Sequence, residues 1–412
     1  SVIMLEKDTL LTRFIRYTEF ETTSMDEAQT FPSSEKQLVF ARFLAEELSN
    51  IGLSDVSLDE NGYLLATLPA NDDKSSPVIG LIAHMDTSCE ASGANVKPQL
   101  NKYYQGGSIV LNNEKGTFLS PEMFPELTNY IGQDIITTDG TTLLGADDKA
   151  GICEIVSACE YLLAHPEVKH GEVKIAFTPD EEVGHGADFF PLNKFGADFA
   201  YTIDGGQLGE LNYETFNACD VKIFIKGRCV HPGYAKGKMI NAISLAAEWQ
   251  NALPAGERPE YTEGYEGFFY TNKINGSTDE VIIHMIIRDH NAELLEKKKK
   301  IVLELAAFMN KKYGHDTIKC ELKDVYVNMK SFFEKSYHIV DRAVKAMEKS
   351  SVQPKIIPVR GGTDGARLSA MGLLCPNIFT GGHNFHGVYE YIPLQSMLKA
   401  TEVIINLVSD NK

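Results

Sequence analysis

Apolar residues near the start of the chain recur at a helical period. The positions that share this spacing are Ala41, Leu44, Leu48 and Ile51. Ser34 and Gln37, three residues apart, have the pattern of a capping box just before them, and Gly52 follows the last apolar position. The stretch therefore predicts an amphipathic helix.

Farther along, short apolar runs alternate with helical patterns. Residues 78–83, 173–177 and 199–203 are short and apolar, which predicts buried strands. Residues 150–164 and 339–347 have the helical period instead. Such an alternation predicts an α/β sheet with helices on both faces.

The pattern changes between about residues 217 and 324. Strands and helices are predicted there in the order 221–226, 239–253, 281–287, 292–313 and 318–322. This order predicts a small inserted α+β domain of the split β-α-β type. The α/β pattern then resumes through strands at 356–359 and 377–380 to a last helix at 394–408. We therefore predict a discontinuous main domain of residues 1–215 and 326–412, and an inserted domain of residues 216–325.

Charge and composition limit the classes of partner. The net charge of -18 repels nucleic acid and acidic lipid. The cationic run at residues 297–300 lies in an apolar-periodic stretch, so we interpret it as the solvated face of a helix. The longest apolar runs fall short of the ~20 residues that span a bilayer, and the N-terminus has no signal pattern. We expect neither nucleic-acid nor membrane partners.

Cysteine usage indicates the compartment. The seven cysteines form no Cys-x-x-Cys pair, and their odd number argues against a disulfide framework. A reducing compartment fits this usage. We therefore expect a cytoplasmic protein.

Ligand-type side chains follow three of the predicted strands. They are His84, Asp86, Asp180, Glu181, Glu182 and Asp204. In open α/β sheets, ligands bind in the crevice outside the carboxyl ends of the strands, so we expect these side chains to meet. We add Asp147, Asp148 and a histidine of the Gly-Gly-His-Asn-Phe-His-Gly motif at residues 381–387.

Histidine and carboxylate ligands without cysteine suit a hydrolytic metal site. Five ligands are too many for one tetrahedral ion, whereas a carboxylate that bridges two ions ~3.5–4 Å apart would use them all. Of Glu181 and Glu182, one can then be a ligand while the other, pointing away from it, acts as general base. Taken singly, a histidine at a strand end is more often a hydrogen-bonded structural residue, and an acidic pair is more often a solvated turn. The clustering of these residues at strand ends reverses that balance and favours the metal site.

Six motifs spread over nearly the whole chain carry a family resemblance. They are Ile-Ala-His-Met-Asp-Thr-Ser at 82–88, Leu-Gly-Ala-Asp-Asp-Lys-Ala-Gly at 144–151, Phe-Thr-Pro-Asp-Glu-Glu-Val-Gly at 177–184, Tyr-Thr-Ile-Asp-Gly-Gly at 201–206, Val-His-Pro-Gly at 230–233 and Arg-Gly-Gly-Thr-Asp-Gly at 360–365. Together they resemble the peptidase T family of tripeptide aminopeptidases, which are co-catalytic zinc exopeptidases like aminoacylase and glutamate carboxypeptidase. The resemblance implies an α/β mixed sheet flanked by helices, with an inserted α+β lid and dimerisation domain.

The resemblance also implies two zinc ions per subunit. His84, Asp147 and Asp204 are expected to hold one ion. Asp147, Glu182 and His386 are expected to hold the other, so that Asp147 is the bridge. The family has a non-prolyl cis peptide bond after this bridging aspartate, which would lie between Asp147 and Asp148.

Catalytic roles follow from the same resemblance. Glu181 is implied to be the base that takes a proton from the bridging water and passes it to the leaving amine. Asp86 is implied to orient the imidazole of His84, as carboxylates beside metal-bound histidines do. The implied reaction is hydrolysis of the first peptide bond of a tripeptide.

Three further candidates lie outside the metal cluster. His231 matches a histidine that reaches the partner subunit's site and stabilises the oxyanion, and its structural alternative is a histidine that precedes a helix. Arg360 and Arg288 match arginines suited to a peptide carboxylate, although each could equally form a structural ion pair. The partners implied are a short peptide and, through the inserted domain, a second copy of the chain in a homodimer.

Departures from the family pattern leave some points open. The family usually has tyrosine where this chain has His383, so there are two candidate histidines, and we choose His386 because the family's ligand precedes a glycine. Residues 89–90 (Cys-Glu) and His185 also depart beside the site.

The same motifs are compatible with other functions. An N-acyl-amino-acid hydrolase or a carboxypeptidase of the same family would share the metal core. A non-catalytic protein that binds peptide or metal would have no use for Glu181 beside Glu182, which argues against it.

Overall fold

A computed structural model describes residues 3–73 and 75–410. The helices within these residues are α1 (Lys7–Thr18), α2 (Lys36–Ile51), α3 (Ala146–Ala164), α4 (Leu192–Phe195), α5 (Ala242–Ala252), α6 (Ala292–Tyr313), α7 (His338–Lys349), α8 (Asp364–Ala370) and α9 (Leu394–Val408). Helices α6 and α9 have the predicted bounds, because apolar residues recur at the helical period along most of their length.

The strands of the same residues fall into four sheets. They are β1 (Ser54–Leu58), β2 (Leu64–Leu68), β3 (Ile79–His84), β4 (Gln99–Asn101), β5 (Ile109–Asn112), β6 (Thr117–Leu119), β7 (Ile135–Thr137), β8 (Val173–Thr178), β9 (Phe199–Gly205), β10 (Glu210–Asn212), β11 (Asn217–Lys226), β12 (Phe268–Gly276), β13 (Glu280–Asp289), β14 (Ile318–Tyr326), β15 (Lys355–Ile356), β16 (Asn377–Phe379) and β17 (Tyr391–Pro393).

The largest sheet is mixed and has the order β1-β2-β8-β3-β9-β16-β10-β15. Its centre is parallel, because β3 pairs in parallel with β8 and β9, and β9 with β16. The outer strands β2 and β10 run antiparallel to this centre. All six residues of β3 are buried. Parallel strands that are covered on both faces have continuous apolar runs, which explains the apolar sequence of β3. The central strands therefore end at one edge of the sheet.

Helix α3 packs against β3 and β9 on one side and against α1 and α9 on the other. A helix that is apolar on all sides is expected in such a buried position. Its first turn is irregular, since Asp147 and Asp148 have non-helical backbone angles. Gly145, with a φ of 86°, makes the left-handed turn just before the helix. The irregular turn places polar side chains at the edge where the central strands end.

The capping box predicted at Ser34 is wrong in detail. Helix α2 begins at Lys36, and its N-cap, Glu35, makes no side-chain hydrogen bond to the helix. The Gln37 amide donates to Asp180 at 2.7 Å and to the Ser34 hydroxyl at 3.0 Å. Gln37 therefore links Ser34 to Asp180.

The chain divides into two compact units. One comprises Ser1–Tyr213, Phe332–Ile357 and Arg367–Lys412, and the other comprises Glu214–Ser331 and Pro358–Ala366. The predicted inserted domain of residues 216–325 lacks the return segment at 358–366, which has no periodic pattern of its own. The outermost predicted bounds, residues 1 and 412, lie outside the described residues.

The second unit contains an antiparallel sheet of order β12-β13-β11-β14. Helices α5 and α6 pack against it around a core that includes Trp249, Ile223 and Ile283. Strand β12 is missing from the predicted order, because most of its residues are exposed at the sheet edge and it has no apolar alternation. Among the described residues, no helix combines the length and the apolarity that crossing a membrane requires.

Candidate metal centre and active site

Five segments of the first unit bring their polar side chains together. His84 ends β3 and Asp204 lies in the neighbouring strand β9. Glu182 lies in the turn after β8, Asp147 in the irregular first turn of α3, and His386 in the loop that follows β16. The convergence follows from the parallel centre of the sheet, whose strands end at the same edge.

Two sets of ligand atoms share the carboxylate of Asp147. Its Oδ1 lies 2.9 Å from His84 Nε2, and Asp204 Oδ1 lies 3.2 Å from the same nitrogen. Its Oδ2 lies 3.0 Å from His386 Nε2, which is 2.8 Å from Glu182 Oε2. Each set has its ligand atoms within 4.8 Å of one another. One oxygen of Asp147 thus faces each set.

The distances fit metal coordination. Two donors that each lie ~2.1 Å from a tetrahedral ion are about 3.4 Å apart. The contacts of His84 Nε2 span 2.9 to 3.5 Å, since Glu181 and Glu182 each have an oxygen 3.5 Å away. The donor set can therefore close around cations with little movement.

The charges also fit. Burial and the Asp147 carboxylate raise the pKa of Glu182 to about 9, and burial raises that of Asp204 to about 7. Although burial opposes it, hydrogen bonds from His386 and His84 hold the pKa of Asp147 well below its ordinary value. Two imidazoles cannot neutralise four packed carboxylates, so the cluster suits a pair of divalent cations.

Asp86 supports both the first histidine and the glutamate turn. His84 Nδ1 lies 2.8 Å from the main-chain oxygen of Asp86 and 3.2 Å from its Oδ1. The two carboxylate oxygens accept the main-chain N–H groups of Glu181 and Glu182, each at 3.0 Å. The side chain is fully buried. Asp86 therefore fixes the orientation of His84 and of the turn that carries the two glutamates.

Glu181 and Glu182 differ in exposure. The side chain of Glu182 is 7% exposed and meets both histidines. That of Glu181 is 18% exposed and has an oxygen 3.5 Å from His84 Nε2. The more accessible of the two is thus the one predicted to be the base.

Asp180 faces away from the cluster. Its carboxylate accepts the main-chain N–H and the hydroxyl of Ser33 at 2.7 and 2.6 Å, and the amide of Gln37 at 2.7 Å. Its backbone is left-handed, with a φ of 54°. Asp180 therefore anchors the glutamate turn and is not among the candidate ligands.

The peptide bond between Asp147 and Asp148 is cis, as predicted. Asp148 is fully buried, and its Oδ2 accepts the main-chain N–H of His84 at 3.1 Å. The two side chains thus have different partners. Asp147 contacts the imidazoles of His84 and His386, whereas Asp148 contacts the main chain of strand β3.

His383 is engaged elsewhere. Its Nε2 lies 2.6 Å from the hydroxyl of Tyr130, and its ring stacks on Tyr391 with centroids 4.7 Å apart. Burial lowers the pKa of His383 to about 4. The choice of His386 over His383 agrees with this placement.

Glu390 was not predicted from the sequence. This buried carboxylate accepts the N–H groups of Leu144 and Gly145 at 2.7 and 2.9 Å, and that of Asp147 at 3.0 Å. Burial raises the pKa of Glu390 to about 7. No spacing rule links residue 390 to residues 144–147, and only its position four residues after His386 could have drawn attention to it.

The departures beside the site also have contacts. Glu90 Oε1 lies 3.2 Å from His386 Nδ1, so the residue next to Cys89 touches a candidate ligand. His185 Nδ1 lies 2.7 Å from Asp188 Oδ2. The imidazole of His185 is thus held away from the histidines of the cluster.

The remaining predicted residues lie in the second unit. His231 is exposed, and its Nδ1 accepts the N–H of Gly233 at 3.0 Å. Arg288 pairs with Asp220 at 3.2 Å and donates to the carbonyl oxygen of Cys219. These contacts of Arg288 favour its structural alternative.

Arg360 is exposed but already has partners. Its Nη1 donates to the carbonyl oxygens of Gly264 and Glu266 at 2.7 and 2.8 Å, and its Nη2 donates to Thr262. The guanidinium also lies over the ring of Phe216. Both hydrogen-bond donors of Nη1 are therefore engaged within the second unit.

Known proteins resemble this chain in sequence and in fold. Residues 213–317 match the peptidase dimerisation domain. Peptidase T of Caldanaerobacter subterraneus is 57% identical over 396 residues, which are 96% of this chain and 97% of that protein. Peptidase T of Geobacillus kaustophilus is 56% identical over 98% of both chains.

A solved structure shows the fold independently. Aminopeptidase PepT from Bacillus cereus superposes with a TM-score of 0.77 at 23% identity, over 98% of this chain and 99% of that one. Its fold agrees with a mixed sheet flanked by helices and an inserted dimerisation domain. Because sequence identity above one half extends along nearly the whole chain, this protein belongs to the peptidase T family of metallo-exopeptidases.

Proposed function

We propose that this protein is an aminopeptidase that releases the N-terminal residue from tripeptides with two zinc ions per subunit. The observation that carries the proposal is the carboxylate of Asp147, which offers one oxygen to each of two histidine-containing ligand sets. Family membership supplies the substrate class. The site's chemistry and the family thus point to the same reaction.

The proposed ligands are His84, Asp147 and Asp204 for one ion, and Asp147, Glu182 and His386 for the other. Imidazole and carboxylate without thiolate are ligands that zinc accepts in hydrolytic sites. When bound, two such ions lower the pKa of a shared water and polarise the carbonyl of the scissile bond.

Glu181 is the proposed base. Its turn is held by Asp86, and its side chain is more exposed than that of Glu182. Glu181 takes the proton of the attacking water and delivers it to the nitrogen of the leaving dipeptide. One carboxylate can serve both steps because the proton that it gains in the first is the one that it loses in the second.

His231 is the proposed stabiliser of the oxyanion, supplied by the partner subunit of a homodimer. Since its Nδ1 accepts the N–H of Gly233, the ring proton lies on Nε2 and is available to an anionic oxygen. Arg360 and, with less structural support, Arg288 are the proposed contacts of the peptide carboxylate.

We also propose that the enzyme works in the cytoplasm. All seven cysteines are free thiols. Thiols persist in reducing compartments, where disulfides are rare.

Initial rates on four related substrates test the proposed function. A free tripeptide, its N-acetylated form, and the matching dipeptide and tetrapeptide are compared with zinc present and after chelation. We expect chelator-sensitive cleavage of the free tripeptide and little cleavage of the others. Cleavage of the acetylated form alone would assign the protein to the acylase branch, and no cleavage at all would favour a binding protein.

A further inference from the structure

Glu390 joins the 144–147 turn, which carries Asp147, to the loop that carries His386. Both residues are proposed ligands of the same ion. The side chain of Glu390 is 1% exposed, and its two oxygens accept three main-chain N–H groups of the 144–147 turn. One of these belongs to Asp147 itself. The position of the proposed bridging carboxylate is therefore set partly by residue 390.

The same loop carries His386. Glu390 donates its own N–H to the carbonyl oxygen of Gly387 at 3.3 Å, which closes the loop just after the histidine. His386 Nε2 then lies 3.0 Å from Asp147 Oδ2. Because Glu390 belongs to the His386 loop and holds the Asp147 turn, it fixes the distance between these two ligand segments.

The other ligand set depends less on this contact. His84 and Asp204 lie on β3 and β9, which pair directly in the sheet. Asp86 orients His84 independently of the 386–390 loop. Only Asp147 is common to both sets, so loss of the Glu390 contact should affect the two ions unequally.

We infer that Glu390 is a positioning residue that holds the Asp147 turn against the His386 loop and so sets the affinity for the ion bound by Asp147, Glu182 and His386. The inference rests on the proposed two-metal function. Its structural alternative is that Glu390 only stabilises the start of α3, as an acidic group near a helix N-terminus does. The alternative predicts a change in stability without a selective change in metal affinity.

Zinc binding by the Glu390→Gln variant distinguishes these roles. Glutamine keeps one acceptor oxygen, but its amide nitrogen cannot accept an N–H group. Full-length wild type and variant are stripped of metal, and both zinc dissociation constants are measured by competition with a chromophoric chelator. The His386→Ala variant identifies which constant belongs to the His386 set. Melting temperatures of the metal-free proteins are recorded alongside.

A matched control is available in helix α3. Glu154 is fully buried, and neither of its carboxylate oxygens has a hydrogen-bond partner among the described residues. Glu154→Gln therefore changes a buried carboxyl group without changing the ligand turns. Glu390→Asp, which keeps the charge but is one methylene shorter, replaces Glu390→Gln if that variant does not fold.

We expect Glu390→Gln to weaken zinc binding at the His386 set by about 10–100-fold, the range found for partners of metal ligands. Binding at the His84 set should weaken much less, and the Glu154→Gln control should keep both wild-type constants. Wild-type affinity for both ions, or equal weakening of both together with a lower melting temperature, would overturn the inference. The zinc-binding measurements use no substrate, so they do not depend on the reaction. A wild type that binds two ions but cleaves no tripeptide would therefore refute the proposed function and leave the inference about Glu390 intact.

Discussion

At the scale of single residues, the buried acids around the histidines divide by what their oxygens face. Asp147, Glu182 and Asp204 face the Nε2 atoms of His84 and His386. Asp86 and Glu390 accept main-chain N–H groups of the turns that carry those ligands. The first group can coordinate cations, while the second fixes where the first group lies.

Replacing each of the two adjacent glutamates by glutamine distinguishes the base from the metal ligand. Glu181→Gln should keep both zinc ions and lower kcat by about 10²–10⁴-fold, because the amide cannot accept the proton of the attacking water. Glu182→Gln should lose zinc from the His386 set. Metal content by mass spectrometry and kcat on a tripeptide measure both. Loss of zinc from the Glu181 variant would make that residue a ligand.

The sequence indicates which residue types gather at the strand ends, because parallel strands place their carboxyl ends together. It does not separate Asp180 from Glu182, since both follow the same strand by a few residues. Asp180 differs because its left-handed backbone turns it toward Ser33 and Gln37. Glu390 was missed because its partners lie about 245 residues earlier in the chain.

At the scale of elements, helix α3 carries both the irregular ligand turn and a buried acid. Glu154, on its third turn, has no hydrogen bond to either oxygen within the described part of the chain. Burial raises its pKa well above the ordinary value of 4.5. The folded protein therefore keeps this carboxyl protonated where the unfolded chain would ionise it.

Glu154→Gln should consequently stabilise the protein at neutral and alkaline pH. As the pH rises above 4.5, the unfolded state loses the Glu154 proton first, which favours unfolding in the wild type. Glutamine has no proton to lose. We expect the melting temperature of the variant to exceed that of the wild type by about 2 °C or more at pH 8, and the difference to vanish toward pH 4. Calorimetry across this range measures it, and a difference independent of pH would refute the explanation.

Periodicity predicts elements well where one face is buried and poorly at exposed edges. The predicted bounds of β3, β8 and β9 differ from the observed bounds by about two residues or fewer. It misses the edge strand β12, which is mostly exposed. The lysine run of α6 is only partly solvated, since Lys298 is 9% exposed and pairs with Glu257 and Asp289. Long cationic side chains can thus reach partners that no local pattern reveals.

At the scale of the whole molecule, the proposed homodimer makes two subunits depend on each other. Residues 213–317 match a dimerisation domain, and His231 is proposed to serve the partner's site. In a dimer with twofold symmetry, each site then takes Glu181 from one chain and His231 from the other. Two different inactive variants should therefore rescue one another.

Mixing Glu181→Gln with His231→Ala tests this dependence. Each variant alone should turn over slowly, the second by about 10²–10³-fold through loss of oxyanion stabilisation. After random re-association of equal amounts, half of the dimers are mixed and each has one complete site, so the rate should return to about one quarter of wild type. His315→Ala, at another exposed histidine, serves as the control. A rate no higher than the average of the two variants would place His231 outside the partner's site.

We propose that each chain uses two metal ions together to cleave a tripeptide. The most direct test removes all metal by chelation, returns zinc in measured equivalents, and follows the initial rate on a free tripeptide. We expect full activity to require two equivalents per chain, because the ligand sets share Asp147 and the reaction uses both ions. Full activity at one equivalent, or in the chelated protein, would contradict it.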